Sequence, residues 1–204
     1  MKLTVFGATG RTGRHVLAQG LERGLEITAF TRRPALLRAA PAPHAVVEGD
    51  GRDPRAVGRA IDGADGVVLI INGGGREDPH LATDVARTVV TAMLGRRVRR
   101  LVVTSAYPIV GDRPRLTMTM LRLMLATPFA DVAAMEQVVS RSSLDWTIVR
   151  LNRLTNGPLT GRVERSRELL AKAKATSRAD AAMVLLDAVG DAALTRAAVN
   201  VSGR

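Results

Sequence analysis

The fold is decided by residues 3–14, which read Leu3-Thr4-Val5-Phe6-Gly7-Ala8-Thr9-Gly10-Arg11-Thr12-Gly13-Arg14. A short apolar run ends at Gly7, two further glycines follow at three-residue intervals, and a pattern of helical period begins at once. This order predicts a strand, a tight turn and the start of a helix. The rest of the chain repeats the alternation of strand and helix that begins here.

The three glycines have separate roles in chains that bind a dinucleotide. Gly7 lets the backbone reverse, Gly10 leaves no Cβ where amide groups approach a pyrophosphate, and Gly13 lets the helix lie close to the strand. The anion is then held by exposed N–H groups at the positive end of the helix dipole. We therefore expect a nucleotide cofactor at this turn, and the alternative interpretation is an ordinary glycine-rich turn.

The next predicted strand bears on which nucleotide is bound. Residues 26–31 form this strand, and Arg32-Arg33-Pro34 follow it without an Asp or Glu. A site for NAD usually has a carboxylate here for the ribose 2′-hydroxyl, whereas a site for NADP has arginine to grip the 2′-phosphate. We predict NADP(H) in preference to NAD(H), with Arg32 and Arg33 on that phosphate and Arg11 on it or on the pyrophosphate. Solvated arginines in an arginine-rich chain are the alternative.

The remaining elements predict the fold class. Further strands are expected at residues 44–49, 66–71, 101–105, 146–150 and 197–202. Helices are expected at residues 34–40, 53–63, 79–95, 131–140 and 177–189, two of them with start signals at Asp53-Pro54 and Ser177-Arg178-Ala179-Asp180. Such alternation predicts an α/β fold, a Rossmann-like doubly wound parallel sheet with helices on both faces. We expect one domain over residues 1–204.

Composition excludes several classes of function. The chain has 204 residues and no cysteine, so it has neither disulfides nor thiol chemistry. Its three histidines, His15, His44 and His80, have no partner at ligand spacing, so we predict no metal site. The apolar runs are too short to cross a bilayer, and Met1-Lys2 leads directly into a strand, so we expect a soluble cytoplasmic protein without a membrane partner.

The net charge of +11 raises the possibility of a nucleic-acid partner. Three of the 30 basic residues are lysines, which indicates an arginine-biased composition. The densest cluster, residues 96–100, lies before a predicted strand and so at the edge opposite the nucleotide crevice. With five aromatic residues in all, base stacking has little support. We predict no nucleic-acid partner.

Several motifs together resemble one family. They are the glycine loop, Thr31-Arg32-Arg33, Gly49-Asp50, Thr104-Ser105-Ala106, residues 144–150 and Pro158-Leu159-Thr160-Gly161. With them the chain resembles an atypical short-chain dehydrogenase/reductase nearly from end to end. It is most similar to the NAD(P)H-binding branch that includes biliverdin reductase B, or flavin reductase, and the nitrogen-metabolite-repression-like redox sensors.

This resemblance implies further site residues. Asp50 and Gly51 would flank the adenine, residues 71–73 would line the ribose and pyrophosphate, and Ser105 with residues 151–154 would frame the nicotinamide. The predicted cofactor-binding residues are then Gly7, Thr9, Gly10, Arg11, Thr12, Gly13, Arg32, Arg33, Asp50, Gly51, Ile71, Asn72, Gly73, Thr104, Arg150, Leu151 and Asn152.

One departure from the family decides the chemistry. Ordinary short-chain dehydrogenases pair a tyrosine with a lysine four residues later, because a phenol pKa near 10 must be lowered. Here Gly111 stands four residues after the single tyrosine, Tyr107, and Glu136-Gln137 occupy the helix where the lysine is expected. Alcohol oxidation by that route is disfavoured. Hydride transfer to a planar acceptor such as a flavin, quinone or tetrapyrrole remains feasible, with Ser105 and Tyr107 as hydrogen-bond donors.

We therefore predict an NADPH-dependent reductase of a small planar substrate, with the substrate side formed by about residues 107–130 and 151–176. Arg153 is a candidate for an anionic group of that substrate, or an arginine that solvates a loop. His80 is a candidate for a contact at the mouth of the crevice, and the favoured alternative is a helix start. The methionine-rich segment 113–129 fits an apolar wall over the substrate, and equally a core or a dimer seam. The alternative function is a non-catalytic NADP(H) sensor that acts through a protein partner.

Overall fold

The computed structural model describes residues 1–37, 42–111 and 115–204. The strands are β1 (Lys2–Phe6), β2 (Glu26–Thr31), β3 (Ala45–Glu48), β4 (Gly66–Leu69), β5 (Arg100–Ala106), β6 (Asp145–Leu151), β7 (Leu154–Thr155), β8 (Val163–Ser166), β9 (Thr176–Ser177) and β10 (Ala197–Gly203). The α-helices are α1 (Arg11–Glu22), α2 (Pro54–Ile61), α3 (Leu81–Gly95), α4 (Arg115–Met124), α5 (Ala126–Ser140) and α6 (Arg178–Gly190). Three 3₁₀ turns cover Pro34–Leu37, Tyr107–Ile109 and Ala192–Leu194.

Eight of these strands form one sheet in the order β3-β2-β1-β4-β5-β6-β10-β8. Neighbouring strands are parallel throughout except for β8, which pairs antiparallel with β10. The order of the first six is that of a doubly wound sheet whose direction of winding reverses between β1 and β4. The predicted fold class is confirmed. A separate parallel pair, β7 with β9, was not predicted.

The alternation of side chains along the central strands builds a core on each face of the sheet. Val67 and Leu69 of β4 pack with helices α2, α3 and α5, whereas Val68 between them packs with α1 and α6. All four residues of β4 are buried, as expected for a strand covered on both faces. The continuous apolar run that predicted this strand is therefore explained by its burial against a hydrophobic core on each face of the sheet.

Two helices begin where the sequence indicates. The Asp53 side chain accepts a hydrogen bond from the backbone of Arg55, and Pro54 occupies the first helical position of α2. The Ser177 hydroxyl accepts from the backbone of Asp180 at 2.9 Å and donates to its carboxylate at 2.8 Å. Both caps satisfy N–H groups that a helix start otherwise leaves without partners.

Other boundaries differ from the predictions. Helix α5 begins at Ala126 rather than Asp131, because Pro128 lies in its first turn, where a missing N–H costs no helical hydrogen bond. The helix predicted over residues 34–40 is a 3₁₀ helix over Pro34–Leu37, and residues 38–40 lie outside the described residues. Strand β8 is short and charged and pairs at the sheet edge, so its sequence gave no alternating signal.

Candidate functional site

The glycine turn after β1 has no room for side chains. Gly7 has a φ of +74°, and a Cβ placed on it would lie 2.2 Å from the carbonyl oxygen of Ile70. A Cβ on Gly13 would lie 2.2 Å from the carbonyl oxygen of Gly7. Gly10 is the N-cap of α1 with no side-chain cap, and the first turn of α1 carries no acidic residue. The turn thus exposes backbone N–H groups at the positive end of a helix.

A cavity of about 470 Å³ opens over this turn, at the carboxyl ends of β1 to β4. We call it the larger cavity. It lies at the topological switch point, where open α/β sheets bind their ligands. It is lined by Phe6, Gly7, Thr9, Gly10, Arg11, Thr12, Phe30, Thr31, Arg32, Arg33, Gly49, Asp50, Gly51, Leu69, Ile70, Ile71, Asn72, Gly73, Leu81, Val85, Leu154 and Arg178.

Positive charge predominates in the larger cavity. Arg11, Arg32 and Arg33 line it, and in the part of the chain that the structure describes none of them forms an ion pair within 4.0 Å. The one acidic residue of the lining, Asp50, is held by Arg52 with an Nε–Oδ1 distance of 3.1 Å. Those hydrogen bonds keep the pKa of the Asp50 carboxyl below its usual value. The cavity therefore offers unpaired cations to an anionic ligand.

The end of β2 is fixed to the glycine turn by hydroxyl groups. The Thr9 and Thr31 hydroxyl oxygens lie 3.2 Å apart, and the Thr31 hydroxyl accepts from the backbone N–H of Arg33 at 3.0 Å. These bonds place the Arg32-Arg33 segment at the rim of the larger cavity.

A second cavity of about 270 Å³ continues from the first, at the carboxyl ends of β5 and β6. We call it the smaller cavity. Thr12, residues 70–73 and Leu154 line both cavities. The other residues of its lining are Thr104, Ser105, Ala106, Pro128, Phe129, Val132, Leu151 and Asn152. Among the described residues, no ionisable side chain lines it.

Asp131 fixes the loop between β4 and α3, which lines both cavities, to helix α5. Its carboxylate accepts hydrogen bonds from the backbone N–H groups of Gly74, Ala82 and Thr83 at 2.8–3.0 Å, and from the Thr83 hydroxyl at 2.6 Å. Burial raises the pKa of Asp131, but these hydrogen bonds outweigh it, and the pKa lies below its ordinary value. A Cβ on Gly73 would lie 2.0 Å from the carbonyl oxygen of Pro128, so the loop and α5 are in direct contact.

Ser105 belongs to a buried polar cluster beside the smaller cavity. Its hydroxyl donates to Oε1 of Glu136 at 2.5 Å. Arg150 donates to both oxygens of the same carboxylate, from Nε at 2.9 Å and from Nη2 at 2.6 Å. The guanidinium of Arg150 is therefore occupied by the Glu136 carboxylate, and Arg150 lines neither cavity. Its predicted role in cofactor binding is corrected to that of a partner for Glu136.

Tyr107 lies away from both cavities, which corrects its expected catalytic role. The side chain is 2% exposed, and its hydroxyl accepts from the backbone N–H of Leu170 at 3.0 Å and donates to the carbonyl of the same residue at 3.3 Å. The phenol therefore holds the segment around Leu170 in place and is not directed at a substrate. Of the two residues predicted to be catalytic, only Ser105 reaches the smaller cavity.

The remaining predicted residues divide into those that line a cavity and those that do not. Gly13 packs against the turn and does not line a cavity, whereas the other predicted cofactor residues except Arg150 line one or both. Arg153 is exposed and outside both cavities, and His80 is the N-cap of α3. Phe129 lies within the predicted substrate side, whereas Val132 and Arg178 reach the cavities through tertiary packing that no local pattern indicates.

The methionine-rich segment does not form a core in its described part. Met120, Leu123 and Met124 of α4 are 62%, 76% and 74% exposed, and the structure describes no residue of α4 that lines a cavity. Pro128 and Phe129 at the end of the segment do line the smaller cavity. Met118 and Arg113 fall outside the described side chains. The core interpretation is wrong for these three residues, while a dimer seam stays a prediction.

The basic cluster at residues 96–100 lies at the opposite edge of the sheet, before β5. Arg100 donates to the carbonyl of Val189 at 3.0 Å and to that of Asp145 at 2.6 Å, and Arg99 pairs with Asp145. Over the described ranges, no group of three or more acidic or histidine side chains could hold a metal ion. No helix there has the length and apolar character to cross a membrane.

A family profile and several known proteins resemble this chain. The profile of the NAD(P)H-binding family matches residues 7–192. The chain belongs to the NAD(P)H-binding family. An uncharacterized protein of Mycobacterium tuberculosis, Rv2047c, is 30% identical over 151 residues, which are 74% of this chain. The alignment covers 14% of Rv2047c, so this chain corresponds to a small part of the curated relatives it matches.

Solved structures share the fold at low sequence identity. A short-chain dehydrogenase/reductase from Veillonella parvula DSM 2008 in complex with NADP has a TM-score of 0.84 at 20% identity, covering 98% of this chain and 94% of that one. ChuY, an anaerobillin reductase from Escherichia coli O157:H7, has a TM-score of 0.84 at 20% identity, covering 100% and 97%. The predicted NAD(P)H-binding family is confirmed by the family profile, and these structures confirm the fold.

Proposed function

We propose that this protein is an NADPH-dependent reductase that transfers hydride to a planar acceptor such as a flavin, a quinone or a tetrapyrrole. One observation carries the proposal: a cation-lined cavity over a glycine turn runs directly into a second cavity that no ionisable side chain of the described residues lines. The first suits a phosphorylated dinucleotide, and the second suits an uncharged ring. ChuY, named as an anaerobillin reductase, supports a tetrapyrrole as one candidate acceptor.

The larger cavity fits a dinucleotide on its own geometry. Side chains on Gly7 or Gly13 would collide with backbone, so the turn stays open for backbone N–H groups to approach a pyrophosphate. Arg32 and Arg33 at the end of β2 would hold a 2′-phosphate, and Arg11 would reach it or the pyrophosphate. When bound, NADPH supplies the hydride.

The residues of the smaller cavity contribute positioning. Leu151, Phe129 and Val132 give it apolar walls that exclude water from the ring. The structure shows no described side chain there that could donate a proton by titrating, and Tyr107 is engaged elsewhere. The reaction must then be one that needs alignment more than acid catalysis, with the proton of the reduced acceptor taken from water.

The test is an assay of NADPH oxidation at saturating cofactor with riboflavin, FMN, menadione and biliverdin as separate acceptors. We expect turnover with at least one of them, and weaker activity when NADH replaces NADPH. Reactions without protein correct for direct reduction of the acceptor. The absence of turnover with all four acceptors, despite measurable NADPH binding, would count against the reductase.

A second candidate function, a non-catalytic NADP(H) sensor, is favoured by a different observation. Met120, Leu123 and Met124 expose an apolar surface on α4, next to the helix that lines the smaller cavity. A sensor needs such a surface for a protein partner. Equal affinity for NADP⁺ and NADPH, measured by calorimetry together with an absence of turnover, would favour the sensor.

A further inference from the structure

The hydroxyl proton of Ser105 is already used in a hydrogen bond inside the protein. Arg150 donates to both carboxylate oxygens of Glu136, at 2.9 and 2.6 Å, and Ser105 donates to one of them at 2.5 Å. A carboxylate that is paired in this way accepts hydrogen bonds and has none to give, so Ser105 must be the donor of the pair. The Ser105 oxygen is then left with lone pairs alone for any other partner.

Thr104 and Asn152, two polar residues that line the smaller cavity with Ser105, also direct their side-chain donors into the protein. The Thr104 hydroxyl donates to the carbonyl of Ile71 at 3.2 Å and accepts from its N–H at 3.1 Å. The Asn152 amide donates to the carbonyl of Ala173 at 3.0 Å. The side-chain donors of these three residues are thus directed into the protein, and what Ser105 and Asn152 can still offer to the cavity is acceptor oxygen.

We infer that Ser105 acts as a hydrogen-bond acceptor in the smaller cavity, and that the site selects planar acceptors which carry a ring N–H. This inference rests on the proposed function and narrows its substrate class. Flavins and linear tetrapyrroles have such a group, whereas quinones present carbonyl oxygens only. A ligand without the N–H leaves the Ser105 oxygen desolvated and unpaired, which lowers its affinity. Glu136 and Arg150 are positioning residues, because they act on the ligand through Ser105.

The experiment compares two probes that differ in one hydrogen-bond donor. Lumiflavin carries an N–H at ring position 3, and 3-methyllumiflavin does not. Binding of each to the protein saturated with NADP⁺ is measured from the quenching of flavin fluorescence. We expect lumiflavin to bind about tenfold more tightly, as the loss of one hydrogen bond to a buried acceptor implies.

Two variants separate this effect from the added bulk of the methyl group. Ser105→Ala removes the acceptor and leaves the Glu136–Arg150 pair intact, and should reduce the preference to about twofold or less. In Glu136→Ala the Ser105 hydroxyl has no carboxylate to donate to, so its proton is free to turn into the cavity. This variant should lose the lumiflavin preference and bind menadione more tightly, as measured by calorimetry. Glu164→Ala, at an exposed position on β8, is the matched control and should behave as the unmodified protein.

The results of these experiments distinguish a failure of the inference from a failure of the proposed reductase function. Equal binding of the two flavins, a preference that persists in Ser105→Ala, or no lumiflavin binding at all would overturn the inference. Turnover of menadione without lumiflavin binding would overturn it while leaving the reductase function standing. Conversely, a preference abolished by Ser105→Ala in a protein that reduces no acceptor would support the inference and reject the reductase. Thermal melting of Glu136→Ala shows whether this variant is folded, and if it is not, the lumiflavin preference of Ser105→Ala decides the inference.

Discussion

The larger and smaller cavities adjoin each other but are built in different ways. The larger one is made mainly of short stretches that follow β1 to β4, and its described lining includes four arginines. Apart from the residues that it shares with the larger one, the smaller cavity is made of residues from β5, α5 and the end of β6, and its described lining carries no charge. Parallel strands bring both to the same edge of the sheet.

Because of this difference, we expect the larger cavity to recognise the nucleotide and the smaller cavity to select the acceptor. Phosphate groups are bound by backbone N–H groups and guanidinium groups, which a local motif can supply. An uncharged ring is bound by shape and a few directed hydrogen bonds, which only tertiary packing supplies. We therefore expect changes near the glycine turn to affect nucleotide binding strongly, and changes beside the smaller cavity to affect the choice of acceptor.

The largest expected effect is that of Gly7→Ala. The new Cβ meets the carbonyl oxygen of Ile70 at 2.2 Å, and Ala is forced to a φ of +74°. We expect a loss of about 2–4 kcal/mol in the free energy of unfolding. NADPH binding should weaken roughly 100-fold or more, because at least two charge-assisted hydrogen bonds of about 1.5–3 kcal/mol each are displaced.

Calorimetry with NADPH and chemical denaturation measure both effects of Gly7→Ala. Gly95→Ala is the matched control, because a Cβ at the end of α3 meets nothing within 4 Å. Unchanged NADPH affinity in a folded Gly7→Ala protein would show that the turn does not bind the pyrophosphate.

Arg32→Ala tests whether the larger cavity distinguishes the two nucleotides. We expect NADPH affinity to fall by about 10- to 100-fold, because a charge-assisted phosphate contact of roughly 1.5–3 kcal/mol is lost. NADH affinity should stay within about twofold, since NADH has no 2′-phosphate. Titration of both nucleotides against this variant and the exposed control Arg141→Ala gives the comparison. An equal loss for NADH would contradict the assignment of Arg32 to the 2′-phosphate.

The two cavities also differ in how much of them could be predicted from the sequence. Gly7, Gly10 and Gly13 were predictable because their three-residue spacing after a strand is a local pattern, and Arg32 because it follows a recognisable strand. The six-strand order was predictable because right-handed crossovers leave few arrangements for alternating strands and helices.

The smaller cavity was less predictable because its residues are paired over long distances. Tyr107 bonds to Leu170, 63 residues away, and no local pattern indicates that its hydroxyl is occupied. Arg150 ends a predicted strand near the crevice, yet its guanidinium is directed to Glu136 on α5. In both cases the residue type and the approximate position were right, while the direction of the side chain depended on packing.

Asp131→Asn tests the connection between the two cavities through stability and pH. The pKa of Asp131 is lowered from 3.8 in the folded protein, so its stabilisation is complete above pH 3.8 and is lost as the pH falls through the lower, folded value. We expect Asn to cost about 1–3 kcal/mol at pH 7, because an amide N–H₂ would face backbone donors. That cost should shrink as the pH falls from 3.8 toward the lower pKa of the folded protein, where the carboxylate itself becomes protonated.

Urea denaturation at pH 7 and at steps below pH 4 measures this difference. Asp62→Asn is the control, because its side chain is 82% exposed and lies 3.9 Å from its nearest ion partner, Arg96. A penalty for Asp131→Asn that stays constant through the acid range would contradict the role of the carboxylate. A large loss of NADPH affinity in this variant at pH 7 would show that the loop after β4 serves both cavities.

The smallest effect is expected for Tyr107→Phe, which distinguishes a structural phenol from a catalytic one. The hydroxyl forms hydrogen bonds with the backbone N–H and carbonyl of Leu170, which is distant in the sequence. Its removal should therefore lower the free energy of unfolding by about 0.5–1.5 kcal/mol. Turnover of any acceptor that the protein reduces should change less than about twofold, since removing one buried hydrogen bond outside the cavities leaves their lining intact. Steady-state rates at saturating NADPH, set beside the melting temperature, separate the two roles. A tenfold fall in kcat without a change in melting temperature would mean that the phenol reaches the acceptor during turnover, and the smaller cavity would then have a proton donor after all.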